Sequence, residues 1–185
     1  MTKPYHRENL AAAIRQRARQ VLEQQGAADL SLRQLAKFLD VTPAAIYRHY
    51  PDKASLLATL RTEILAEVTA ALHQGVLESP DAQAMVTRMV TNLLAYAQAH
   101  PQAIAFALTG DWPAPQSLQT VLALLLTQDH ANGDPQAAGQ AVWTFLLGVL
   151  CRPQAQLTVD WVVSQIKKLL NLSSYNGQHK NLTLF

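Results

Sequence analysis

From Leu10 to Leu172, apolar residues recur at three- and four-residue intervals, and the breaks between the periodic stretches fall at Gly and Pro. No stretch alternates apolar with polar residues over the length of a strand, and no internal repeat is evident. A chain patterned in this way builds its core helix against helix, so the expected fold is all-α with about nine helices. Its 185 residues, 49% of them hydrophobic, are enough to bury a sizeable interior.

The start and stop signals divide the pattern. The first helix carries Leu10, Ile14, Ala18, Val21 and Leu22 on one side. Arg15, Arg17 and Arg19 lie on its other faces as a solvated surface or phosphate contacts, and Gly26 suits the left-handed residue after the last turn. The second helix opens with the capping-box pair Ser31 and Gln34 and buries Leu32, Leu35, Ala36 and Leu39. The third has Thr42 as N-cap and Pro43 at its first position, and Pro51 stops it by biasing Tyr50 out of the helix.

Asp52 caps a long fourth helix striped by Leu56, Leu57, Leu60, Ile64, Leu65, Val68 and Leu72 and ending near Gly75. Ser79-Pro80 starts a fifth, broken at His100-Pro101. A short helix over 102–108 and another from Leu118 to Leu126 flank the loop TGDWPAPQS, and NGDP at 132–135 ends the trailing turn. Residues 136–151 and 159–172 form the last two helices, and the tail 173–185 is expected to be loosely ordered.

Two helices of about eight residues joined by a tight turn, over 31–50, describe a helix-turn-helix. Ala36 is small where the two would cross, and Val41 and Ile46 can pack between them. That leaves Pro43, Ala44, Ala45, Tyr47, Arg48 and His49 largely facing outward. Small residues at the N-terminal end would let the third helix sit deep in a major groove, with Thr42 and the free N–H groups near phosphate. Charge points the same way. Residues 1–63 hold ten Lys or Arg against six Asp or Glu, whereas 64–185 hold five against seven. A basic N-terminal third on a mildly acidic remainder is a polarity that nucleic-acid binders share.

The segment from Leu10 to Leu57 resembles the DNA-binding domain of TetR-family transcriptional regulators, most densely at Leu35-Ala36, Val41 to Tyr50, Lys53 and Leu56-Leu57. The resemblance implies a homodimer that binds double-stranded operator DNA, usually represses transcription, and is released by a small molecule held in a C-terminal helical domain. Carried onto this chain, it puts Arg33 at a base edge and Pro43, Ala44 and Ala45 against bases and thymine methyls. Thr42, Tyr47, His49 and Lys53 would hold phosphates, and Arg48 could reach either. Tyr50 is as well placed to be a core aromatic. One position departs: Asp40 stands where the family usually has Gly in the turn. The implied division is a DNA-binding domain over 1–53, a helical regulatory and dimerisation domain over 54–172, and the tail 173–185.

In the last two helices almost no polar face remains, from Ala137, Val142, Trp143, Phe145 and Leu146 to Trp161, Val162, Ile166 and Leu169. Such helices are either central to a monomeric core or shared with a second copy in an intermolecular four-helix bundle; the dimer is the expectation adopted. Gly139 and Gly148 would allow close helix approach. Met85, Met89, Tyr96, Phe106, Leu122, Trp112 and Trp143 are candidate lining residues for a mainly apolar ligand, with Arg88, His100 and Asp111 as polar anchors. A protein partner in place of that ligand is the alternative.

No Gly-rich phosphate loop, HExxH or convincing Ser/His/Asp grouping is present, so no enzyme, cofactor or metal site is expected. Cys151 is the only cysteine, which fits a reducing compartment. The first twenty residues lack the uninterrupted apolar h-region of a secretory signal and no apolar run reaches bilayer length, so the expected location is the cytoplasm, without a membrane partner.

Overall fold

The computed structural model describes residues 7–130, 134–152 and 157–172; among these it contains nine α-helices and no strand. They are α1 (Arg7–Gln25), α2 (Leu32–Phe38), α3 (Pro43–His49), α4 (Lys53–His73), α5 (Ala82–Ala99), α6 (Pro101–Ala107), α7 (Gln116–Gln128), α8 (Pro135–Leu150) and α9 (Val159–Leu169). A 3-10 turn, Val76–Glu78, follows α4. The tail 173–185 lies outside the described residues.

Side-chain caps set most of the starts. Thr42 Oγ1 accepts from Ala45 N at 3.3 Å, and Asp52 Oδ1 accepts from Ser55 N at 2.7 Å. Each satisfies a backbone N–H that has no partner within its own helix. Two expected starts shift. The cap of α5 is Asp81, whose Oδ1 accepts from Ala84 N at 2.7 Å, so Ser79-Pro80 only leads into the helix. Asp134 belongs to the start of α8, not to the end of α7: its carboxylate accepts from Gln136 N and Ala137 N, with Pro135 at the first helical position.

The first three helices close a small unit around Ile14, Leu35, Ala36 and Ile46, all nearly or wholly buried. α4 leaves that unit and packs along α5. α5 also carries α7 and α9, and α8 packs on α7 and α9. The core is a single apolar cluster running from Leu10 to Leu170, with no buried charged residue among the described residues. α6 touches both α1 and α4, so the first unit is held to the rest at two helices.

Candidate nucleic-acid interface

The turn between α2 and α3 is closed by backbone. Asp40 has φ 53°, the left-handed conformation. Val41 N donates to Ala36 O at 3.0 Å and Asp40 N to Lys37 O at 3.4 Å, which satisfies the last carbonyls of α2. Ala36 is 2% exposed, small enough for α3 to cross close by.

Only Ile46 of α3 is fully buried, and it anchors the helix. Pro43, Ala44, Tyr47, Arg48 and His49 are exposed and Ala45 is half-buried, as the heptapeptide pattern predicts. Arg33 is exposed on α2. Thr42 is exposed; its oxygen caps the helix while its O–H stays available to donate. Lys53 is half-buried, and its ammonium donates to Ala28 O at 2.6 Å, tying the start of α4 to the α1–α2 loop. An ammonium has three donors, so that tie leaves others for a phosphate.

Tyr50 resolves to the core: it is 7% exposed, and its hydroxyl accepts from Arg15 Nη1 at 3.3 Å. The first-helix arginines are not a free solvated face. Arg15 Nε pairs with Glu63 at 2.5 Å, Arg19 Nη2 with Glu67 at 2.9 Å and Glu23 at 3.2 Å, and the Arg17 guanidinium lies 3.5 Å from the centroid of the Phe38 ring. Sequence reasoning missed these cross-links. The signal was there: arginines four apart at 15 and 19 on α1, and glutamates four apart at 63 and 67 on α4.

The expected ligand residues are not gathered around one opening. Met89 and Trp143 are 1% exposed, and Phe106 and Trp112 are buried. Leu122 is fully buried, and Met85 is half-buried against the core. Tyr96 belongs to a polar cluster instead: its hydroxyl donates to Glu67 at 2.6 Å and accepts from Arg19 at 3.1 Å. Burial first, and then the hydrogen bond to Glu67, hold its pKa well above the ordinary tyrosine value. Of the polar anchors, His100 Nδ1 lies 3.2 Å from Glu23, while Arg88 and Asp111 are exposed. Arg88 lines an open cleft beside the start of α5, with Glu78, Asp81 and Thr87, away from the apolar candidates. Another cleft lies beside α6 and the end of α8, with Ala97, Ile104, Leu108, Leu150 and Cys151 in its walls.

The outward side of α8 is made of Ala137, Gln140, Ala141, Thr144 and Gly148, all exposed. A Cβ built on Gly148 would meet nothing within 4 Å, whereas one on Gly139 would lie 3.0 Å from the Gln119 side chain. Gly139 therefore serves packing inside the subunit and Gly148 does not. On α9, Trp161 is 46% exposed, with its ring 6.3 Å from that of Phe145.

Among the described residues no group of three or more His, Cys, Asp or Glu side chains is placed to hold a metal ion. No helix there is long and apolar enough to cross a membrane.

Residues 14–60 match the family model of bacterial regulatory proteins of the tetR family. Among curated proteins the chain is similar to the nucleoid occlusion factor SlmA of Aliivibrio fischeri, 28% identical over 99 residues, which is 54% of this chain and 49% of that one. The match spans about half the length of such relatives. Among solved structures, a tetR-family regulatory protein from Rhodococcus RHA1 superposes with a TM-score of 0.63 at 20% identity, over 87% of this chain and 95% of that one. RolR in complex with resorcinol superposes with a TM-score of 0.67 at 13% identity, covering 90% of each chain. At these identities the structural likeness speaks for the fold.

Proposed function

Through residues 14–60 the chain belongs to the tetR family of bacterial regulatory proteins, whose members are non-enzymatic DNA-binding proteins, and on that premise we propose that it is a homodimeric repressor that binds a pseudo-palindromic operator. The observation that carries this is the division of α3: Ile46 is locked inward, while Pro43, Ala44, Tyr47, Arg48 and His49 are left to a partner outside the subunit. Each copy would lay α3 in one half-site, with half-sites about one helical turn (roughly 34–36 Å) apart. Arg33 would read a base edge, the short side chains of Pro43, Ala44 and Ala45 would permit close approach, and Thr42, Tyr47, His49 and Lys53 would hold phosphates. Arg48 would serve either role.

The second copy would be held through α8 and α9, whose outward Ala141, Thr144 and Gly148 beside Trp161 suit close helix approach across a two-fold axis. Release would come from a small, mainly apolar ligand. RolR, whose structure holds resorcinol, supports that possibility for the fold. With Met89, Trp112 and Trp143 packed in the core, the cleft beside α6 and α8 is the better candidate for its seat than the seven lining residues named from sequence. A second reading, a protein partner in place of the ligand, is favoured by the same filled core.

The test is fluorescence anisotropy of the protein on DNA from upstream of its own gene, against scrambled DNA, across a salt series. Preferred binding of the native sequence, with Arg33→Ala reducing discrimination, supports a specific regulator. Equal, steeply salt-dependent binding to both would leave only attraction to phosphate on that stretch of DNA. Absence of binding at low salt would remove the proposal.

A further inference from the structure

α1 and α4 are joined by two rungs in matched register. Arg15 meets Glu63 at 2.5 Å; one helical turn further along both helices, Arg19 meets Glu67 at 2.9 Å. Each rung also ends on a tyrosine hydroxyl, and the two tyrosines come from opposite parts of the molecule. Arg15 Nη1 donates to Tyr50, the residue that caps the C-terminus of α3, at 3.3 Å. Arg19 Nη2 donates to Tyr96 of α5 at 3.1 Å, and Tyr96 donates to Glu67 at 2.6 Å. The upper rung reaches further through Glu23, 3.2 Å from both Arg19 and His100 Nδ1, with the His100 ring 4.6 Å from that of Tyr96.

Equal spacing on the two helices has a mechanical consequence. Four residues of helix span about 6 Å. A slide or partial roll of α4 against α1 therefore takes both rungs out of hydrogen-bonding distance together. The two pairs then act as one element that is either engaged or released, along a half-exposed seam between the two helices. Tyr96 sits on α5 and touches both members of the upper rung, so the position of α5 biases that element. Tyr50 is bound by the lower rung and carries the end of α3, so the same element fixes how α3 is held. An element whose balance two distant places both bias is the physical content of coupling between them.

We propose that Arg15 and Arg19 are positioning residues for DNA recognition: the lower rung fixes the end of the DNA-facing helix through the Tyr50 hydroxyl, and the upper rung makes that fixing depend on α5 through the Tyr96 hydroxyl. The proposal rests on α3 being the DNA-contacting helix, but the coupling from α5 to α3 does not need DNA to be observed.

The experiment uses the full chain with Tyr50→Phe, Tyr96→Phe and the double variant, each removing a single hydroxyl and keeping the ring. Amide hydrogen exchange in the free protein is followed over 42–50 and, as a control, over 142–150. Tyr96→Phe is expected to speed exchange over 42–50 roughly three- to tenfold, the effect of one modest hydrogen bond, with 142–150 unchanged. Tyr50→Phe should do the same, and the double variant should be no faster than either single one, because both release one element. Wild-type exchange over 42–50 in Tyr96→Phe, an equal rise over 142–150, or multiplied effects in the double variant would each overturn the coupling.

A duplex selected by the wild-type protein from a random-sequence pool then tests the consequence. Tyr96→Phe should bind it roughly three- to tenfold more weakly while binding scrambled duplex as the wild type does. Unaltered binding to the selected duplex would overturn the positioning role. Failure of the wild-type protein to select any duplex would overturn the proposed function, and the exchange result would still decide the coupling.

Discussion

Trp143 Nε1 donates to the carbonyl oxygen of Trp112 at 2.8 Å, and the two rings meet edge to face with centroids 5.5 Å apart. The bond fastens the loop between α6 and α7 onto α8. Both residues are buried, so the carbonyl depends on that donor. Trp143→Phe keeps an aromatic ring but removes the N–H and some volume. The expected cost is about 2–4 kcal/mol, from an unpaired carbonyl plus a partly filled cavity. Thermal unfolding should show a midpoint lowered by about 5–15 °C. An unchanged midpoint would mean that the loop is not held there.

Asp40 occupies the left-handed position that closes α2, at φ 53°. A residue with a Cβ is strained in that conformation by roughly 1 kcal/mol relative to Gly, though Asp tolerates it better than most. Asp40→Gly should therefore raise stability by up to about 1 kcal/mol, and Asp40→Val should lower it. Urea midpoints of the two variants check both signs. A loss of stability in Asp40→Gly would show that the carboxylate contributes more than its strain.

The fold was legible because local signals agreed with one another. The caps Thr42 and Asp52, the stop at Tyr50-Pro51 and the turn residue Asp40 all act within four residues, where sequence spacing is geometry. The outward face of α3 was legible for the same reason, since Ile46 is its only large aliphatic side chain. What the sequence hid lies between elements. Arg19 could be assigned to solvent because nothing near it in the chain says that α4 and α5 bring Glu67 and Tyr96 to it. Tyr96 looked like a wall of an apolar pocket because periodicity gives a face, not a neighbour. Met89 and Trp143 are packed in the core, and sequence could not say so because apolar residues that line a cavity and those that fill a core have the same composition.

The hydroxyl of Tyr96 gives the protein a signature at high pH. Burial, and next the bond to Glu67, raise its pKa in the folded state above the ordinary tyrosine value of 10.0, so the folded protein holds that proton where the unfolded chain has lost it. The stabilisation is fully present below about pH 10 and is lost as pH rises from there toward the folded-state pKa. The stability difference between wild type and Tyr96→Phe should accordingly shrink from pH 10 upward and stay constant between pH 7 and 9. Paired unfolding curves across that range test it; a difference that grows with pH would contradict the sign.

Ala44 is exposed near the start of α3, where a larger side chain has room in the free protein. Ala44→Leu should change stability by no more than about 0.5 kcal/mol. If α3 enters the groove by this end, the same change should weaken binding to a selected duplex at least about tenfold, because the added atoms hold the backbone away from the bases. Equal affinity in a titration of both proteins would place the DNA-facing surface elsewhere.

Gly148 separates the subunit from its assembly. A Cβ there would meet nothing within 4 Å, so a side chain at 148 starts into open space, and Gly148→Leu should raise the helix preference of α8 by roughly 0.5–1 kcal/mol. Across a two-fold interface built on α8, the same side chain would stand where two helices approach most closely, beside Ala141 and Thr144. The variant should therefore be as helical as the wild type yet shift toward monomer in sedimentation velocity at micromolar concentration. Its affinity for a two-half-site duplex should fall with the dimer fraction, while binding to a single half-site should stay as it was. A fully dimeric Gly148→Leu protein would move the interface off this face of α8.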